Sequence, residues 1–385
     1  MLTWREIIEA EDVGHFRPFG GMDPKIPVTL RGRALILDLP NEDFRVLSSG
    51  FTNGGFMDSP EAVMNVTGMG GSPEYSCMMG GLDEHDESMF AYVRKLGYNP
   101  QKTVCMSTAA NMENAVITNS ESPEGVKIST AITGGIRHNG GRAGDPADFD
   151  EATAAYDYEE GTIVILVSMD ANLSDAAMLQ VMLMVTEAKS CVVQELQAKS
   201  LYSCEIATGS GTDQVAIISN KGSPNFIDSI DRCSPLAKKL ADNVKLGLRR
   251  ALYRQSGMDA RLQGDVMTIF SRYGLTRDTI REEIRFPATM AELEKALAEI
   301  RANPYFAALI SGLLMLQDMT RHGIVPQDIG LKAARSTCEY IVDGVRNDVE
   351  RLRMDSAENI PDLLSYTAAL RLLRTVQEWR EENEK

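Results

Sequence analysis

The chain has 385 residues, 43% apolar and 24% charged, and its 55 acids against 39 Lys and Arg give a formal charge of −16. That length accommodates two domains with a sizeable core, and the composition is that of a soluble globular chain. The acidic excess speaks against the clustered Lys and Arg that phosphate binding needs, so no nucleic-acid partner is expected, whereas a small cationic substrate would suit the field.

The opening stretch MLTWREIIEAEDVGHF carries Glu6, Glu9, Glu11 and Asp12 and lacks the basic flank and apolar core of a signal peptide. Up to residue 256, short β-rich runs alternate with glycine-rich loops. The pattern predicts strands at TLRGRALILDL, FRVLSS, KTVCMST, NAVIT, VKISTAIT, TIVILVSM and QVAIIS. Helices are predicted over Glu87–Leu96, Ser174–Lys199 and Ser234–Tyr253. The segment Gly68–Glu87, GMGGSPEYSCMMGGLDEHDE, is a Met- and Gly-dominated loop, read either as an unstructured excursion or as a soft lid over a large apolar ligand.

Asn172 or Ser174 caps the second helix, and its AAMLQVMLMV stretch is apolar nearly all round, which predicts extensive burial. The third helix opens with Ser234-Pro235, and Leu236, Leu240, Val244 and Leu248 form one stripe at i+4 spacing that is expected to face a sheet. Beyond residue 256 the chain reads as helical throughout. Thr289 to Glu292 form a capping box, and Pro304, Gly323, Pro326 and Pro361 punctuate the helices around them. The longest apolar run, Tyr305–Leu316, is too short to span a bilayer. A cytoplasmic protein with no membrane partner is therefore expected.

Six cysteines without a CxxC pair and four histidines without ligand spacing predict reduced thiols and no metal site. The expected fold class is α/β, or α+β: a mixed β-sheet domain with packed helices over residues 30–256, after an N-terminal extension over 1–29. An all-α accessory domain over 257–385 would follow, and as an oligomerisation surface it would allow a homo-oligomer.

Among the motifs, ATGSGTD (Ala207–Asp213) lacks the lysine of a P-loop and the third glycine of a dinucleotide turn, and it runs into a strand. It presents Thr208, Ser210, Thr212 and Asp213 on a glycine loop, which leaves a structural turn and a functional loop both open. In TEAKS, Glu187 and Lys189 follow a long apolar helix, so Glu187 is either a buried carboxylate suited to base chemistry or a helix end back in solvent. TGGIRHNGGRAGD gathers Arg137, His138, Asn139, Arg142 and Asp145 on flexible backbone, as a site for a polar ligand requires, and SSGFTNGG with Asn53 follows another strand in the same style.

Six blocks, FRVLSSGFTNGG, STAANMENAVI, GGIRHNGGRAGD, GTIVILV, TEAKS and ATGSGTDQVAI, together resemble the adenosylcobinamide amidohydrolase family of corrinoid salvage. The resemblance covers most of residues 30–256 and implies hydrolysis of the amide joining the corrin propionate to aminopropanol, giving adenosylcobyric acid. On that reading the corrinoid is a small-molecule substrate, no cofactor is needed, and Asp213 or Glu187 is the base, with a Thr208 or Thr212 nucleophile as the second route. Asn139, Arg142 or the glycine amides supply donors to the oxyanion, and Asn53, Asp145, Lys189 and Ser210 complete the substrate contacts. The family's short GKH segment is replaced here by Asp231–Ser234, DRCS, and the 68–87 loop and helical tail are additions. These departures keep two alternatives open: a corrinoid-binding or cofactor-handling protein without turnover, or an amidohydrolase for a different amide.

Overall fold

The alternating apolar pattern of the first 259 residues folds into two stacked sheets with helices on both outer faces. A computed structural model describes residues 6, 10–68, 82–146, 161–283, 288–301, 303–342 and 354–383. The strands are β1 Phe16–Met22, β2 Ile26–Arg31, β3 Ala34–Asp38, β4 Phe44–Ser48, β5 Gly55–Asp58, β6 Ala62–Thr67, β7 Thr103–Thr108, β8 Val116–Glu121, β9 Lys127–Gly134, β10 Gly140–Gly141, β11 Ile163–Met169, β12 Asn172–Leu173, β13 Gly209–Ser210, β14 Gln214–Asn220 and β15 Phe226–Ile227. Three long helices accompany them: α1 Leu82–Leu96, α2 Asp175–Glu195 and α3 Pro235–Ser256.

One sheet has the order β1-β2-β3-β6-β7 and the other β5-β4-β14-β11-β9-β8. Their inner faces share a core to which Val28, Leu35, Val63 and Met106 contribute from one side and Val46, Ala131, Leu166 and Ile218 from the other. Helix α1 covers the outer face of the first sheet through Met89, Tyr92 and Val93. Helices α2 and α3 cover the outer face of the second, where the stripe Leu236, Leu240, Val244 and Leu248 is buried against Ile132 and Val116. Each such side chain contributes about 1.5–3 kcal/mol by leaving water. Strands β4 and β9 run against the parallel pair β11 and β14, and the bonds Asn65–Thr133 and Gln214–Ser107 join the sheets, so β4, β9 and the parallel β6 and β7 finish where β11 and β14 begin.

Several sequence expectations change. TLRGRALILDL is a hairpin of two strands, turned at Gly32 with φ +54°. Strands β1, β5 and β6 were not foreseen: Pro18 and paired glycines obscure β1, β5 is only four residues long, and Asn65 interrupts the apolar run of β6. Residues 82–87, read as loop, open helix α1, while 69–81 lie outside the described residues. Ser174, not Asn172, caps α2, its Oγ accepting from the Ala177 amide at 3.1 Å. That helix is long and apolar enough to cross a membrane by length and composition, yet its Val181, Val185 and Val192 lie in the sandwich core. Its outer face is not buried as expected, since Leu183 is 65% exposed.

Chain contacts divide the molecule into Met1–Asp259 and Ala260–Lys385. Among the described residues the second unit contains helices and no strand, including Met290–Arg301, Pro304–Arg321, Gln327–Ile341 and Ile360–Asn383. The capping box forms there: the Glu292 amide donates to Thr289 Oγ1 at 3.3 Å and the Thr289 amide to Glu292 Oε2 at 2.7 Å.

Candidate active site

Two glycine-rich loops meet at the end of the second sheet. Strand β9 runs out into GGIRHNGGRAGD, and ATGSGTD leads into β14; Gly140–Gly141 and Ser210–Gly209 then pair as a short antiparallel ladder. Thr208 joins them further, its amide donating to the Gly141 carbonyl at 2.8 Å and its Oγ1 accepting from the Ala143 amide at 3.1 Å.

Asp213 is the centre of this junction. Its Oδ1 accepts from Ser210 Oγ at 2.6 Å and from the Ile163 amide at 3.2 Å, and both oxygens lie 3.1 Å from the Ser210 amide. Lys189 of α2 forms an ion pair with Oδ2, the two side chains being 10% and 11% exposed. A carboxylate so enclosed needs its counter-charge, because neither partner is adequately solvated alone. Glycine at position 209 leaves room for the pair, since a Cβ there would overlap both Asp213 Oδ2 and Lys189 Nζ unless one of them moved.

Around this pair, Thr212 Oγ1 lies 2.7 Å from Thr162 Oγ1 and 3.2 Å from the Gly161 carbonyl. Asn139 donates its Nδ2 to the same carbonyl, is 0% exposed, and leaves Oδ1 without a hydrogen-bond partner among the described residues. Gly161 permits this approach, as a Cβ would run into the Asn139 side chain and the Gly135 carbonyl. Arg142 is committed to the loop, with Nη1 donating to the Ile206 carbonyl at 3.0 Å and Nε 4.0 Å from Glu205. Asp145 accepts from Ser200 and Ser203 hydroxyls, each at 2.5 Å, and from the Arg142 amide at 2.7 Å. Burial works to raise its pKa, but these donors outweigh it and hold the carboxyl below its ordinary value.

Asp213, Lys189, Ser210, Thr208, Thr212, Asn139, Arg142 and Asp145 thus share one neighbourhood. Two expected residues do not join it. Glu187 stands two positions from Lys189, about 200° around the helix, where its side chain is 47% exposed and ion-paired with Arg232. Asn53 adopts φ +57° and spends its amide on the Pro100 and Thr103 carbonyls at 2.6 and 2.7 Å, anchoring its loop to β7. The hydroxyl on Asp213 is Ser210, while those of Thr208 and Thr212 make their bonds elsewhere. Thr162, Ser200 and Ser203 escaped the sequence reading: the first looked like the start of an apolar strand, and serines in a polar loop give no signal. Among the described residues no group of three or more His, Cys, Asp or Glu could hold a metal ion.

A family model described as adenosylcobinamide amidohydrolase matches residues 27–260. The chain is also 31% identical over 175 residues to an uncharacterized protein of Methanocaldococcus jannaschii, covering 42% of this chain and 68% of that protein. A crystal structure of a Pyrococcus horikoshii OT3 protein aligns with 65% of this chain and 91% of its own, at 10% identity and a TM-score of 0.28, too low to argue from.

Proposed function

The chain belongs to the adenosylcobinamide amidohydrolase family, and from that premise we propose that it hydrolyses the amide linking aminopropanol to the corrin propionate of adenosylcobinamide. The products are adenosylcobyric acid and aminopropanol, one water being consumed. The observation that carries the reading is the Ser210 Oγ to Asp213 Oδ1 bond of 2.6 Å, backed by Lys189, where two family-like glycine loops pair.

In this reading Asp213 accepts the proton of the attacking oxygen, and Ser210 Oγ is the oxygen held on it. A hydroxyl, a proton acceptor and a third group that orients the acceptor make up the arrangement that nucleophilic catalysis requires. Lys189 holds the Asp213 carboxylate in place through their ion pair, and its ammonium has further N–H donors with which to stabilise the developing oxyanion. Asn139 and Arg142, whose donors are committed to Gly161 and Ile206, shape the loop instead. Glu187 and Asn53 have no part in the chemistry.

Aminopropanol release from adenosylcobinamide by the purified chain tests the assignment. Asp213→Asn is expected to lower kcat by about 10²–10⁴, and Ser210→Ala by a similar factor if its oxygen attacks. A Ser210→Ala enzyme with near-normal kcat would transfer the attack to water, and an Asp213→Asn enzyme with near-normal kcat would remove the mechanism.

One observation favours a second reading, corrinoid binding without turnover. In the segment DRCS, where the family resemblance leads one to expect GKH, Arg232 pairs with Glu187 of TEAKS. Corrinoid that binds tightly and is recovered intact after long incubation would support that alternative.

A further inference from the structure

The inner faces of the two sheets are apolar along most of their length and turn polar at one end. Strand alternation carries Ser48, Asn65, Thr67, Thr108, Thr133 and Gln214 inward, in line with the core residues Val46, Val63, Met106, Ala131 and Ala216. All six are buried, and all lie where β4, β6, β7 and β9 finish and β14 begins. Asn65 spans the gap: it is 1% exposed, and its Nδ2 donates to Thr133 Oγ1 of the facing sheet at 2.9 Å. Gln214 does the same from the opposite sheet, donating Nε2 to the Ser107 carbonyl at 2.8 Å.

Asn65 Oδ1 has no hydrogen-bond partner among the described residues. A buried amide carbonyl without a donor destabilises the fold, and a leucine of similar size would pack there at no such cost. Retaining it makes sense where a bound molecule supplies the donor. None of the six side chains carries a charge, so an ammonium or carboxylate entering this layer would go uncompensated. An uncharged N–H suits it.

We propose that the polar end of the inter-sheet layer is a binding subsite for a neutral amide, with Asn65 Oδ1 accepting the amide N–H and Thr133 holding the Asn65 side chain in place. Asn65 is then a substrate-positioning residue at the end of the sandwich from which the loops of the Asp213 site depart, since Asp213 precedes Gln214 in the chain and Gly134 of the first loop follows Thr133. The identity of the amide, that of the aminopropanol arm, rests on the amidohydrolase reading; the subsite itself does not.

The test uses the full chain, N-(2-hydroxypropyl)propanamide as the probe, sodium propionate as the charged comparison, and thermal unfolding as the readout. Saturating amide is expected to raise the wild-type Tm by about 3 °C, with no shift from propionate. Asn65→Leu is expected to unfold at or above the wild-type Tm and to lose the amide shift. Asn65→Thr, which keeps a hydroxyl for Thr133 but no carbonyl, should lose it too. An amide shift that persists in both variants, an equal shift from propionate, or no shift in wild type (as when Oδ1 merely holds an internal water) overturns the subsite. An Asn65-dependent shift in a chain that leaves adenosylcobinamide intact sinks the amidohydrolase reading and keeps the subsite. Cleavage that is indifferent to both variants does the reverse.

Discussion

Asp213 and Lys189 depend on Gly209 as much as on each other. The glycine lets the β13 backbone lie against the ion pair, so adding one methyl forces either the ladder or the pair apart. Gly209→Ala is expected to cost about 3 kcal/mol, within the range for breaking a buried pair. Urea unfolding measures it; a loss under about 0.5 kcal/mol, the level of an ordinary surface change, would mean that the loop adapts freely. Asp145 makes a pH prediction in the same loop. Its folded pKa lies below the unfolded value of about 3.9, so its contribution is full above that value and fades as pH falls through the folded one. The stability gap between wild type and Asp145→Asn should therefore narrow between about pH 7 and about pH 3. A gap of unchanged size at the two pH values would mean that the carboxyl is not engaged with Ser200 and Ser203.

At the scale of elements, local chemistry decides where the helices of the sandwich begin. Ser174 and Ser234 each accept from the third residue onward, Ala177 and Ala237, and α3 has Pro235 at its first position and ends at Gly257 with φ +68°. Ser174→Ala is expected to remove about 1 kcal/mol of stability while leaving kcat close to wild type, because the cap is about four turns from Lys189 along α2. Thermal unfolding and the aminopropanol assay measure the two quantities; a fall in kcat as large as that of Asp213→Asn would show that the placement of Lys189 depends on the register of the whole helix. The stripe from Leu236 to Leu248 and the capping box at Thr289 were legible because each is a pattern with one physical solution. Strand β6 was not legible, because its Asn65 interrupts an apolar run for a reason that lies on the facing sheet, at Thr133.

For the whole molecule, the three cores of the sandwich draw on residues up to Met258 and the core of the helical unit on residues from Val266 onward. A chain ending at Asp259 is therefore expected to be soluble and to unfold in one cooperative transition by circular dichroism. Aggregation, or binding of a hydrophobic dye by the truncated chain, would mean that the helical unit completes the core of the sandwich. The sequence by itself determined the change of texture near residue 256, most of the strands, the glycine loops and the family, since these rest on side-chain periodicity and on runs of residues whose backbone demands are local. Only the tertiary structure decided which of the polar residues act together. Glu187 and Lys189 stand two positions apart in TEAKS and so point about 200° apart on a helix, and one meets Arg232 and the other Asp213. Asn53 looked like a ligand contact and became a loop anchor, because its hydrogen-bond partners come from β7 and the turn before it. Ser210 reached Asp213 across three positions of chain, whereas Asn65 met Thr133 across 68. A one-dimensional reading registers the first kind of proximity and has no means of registering the second, because stacking of the two sheets, rather than any local preference, brings those side chains together.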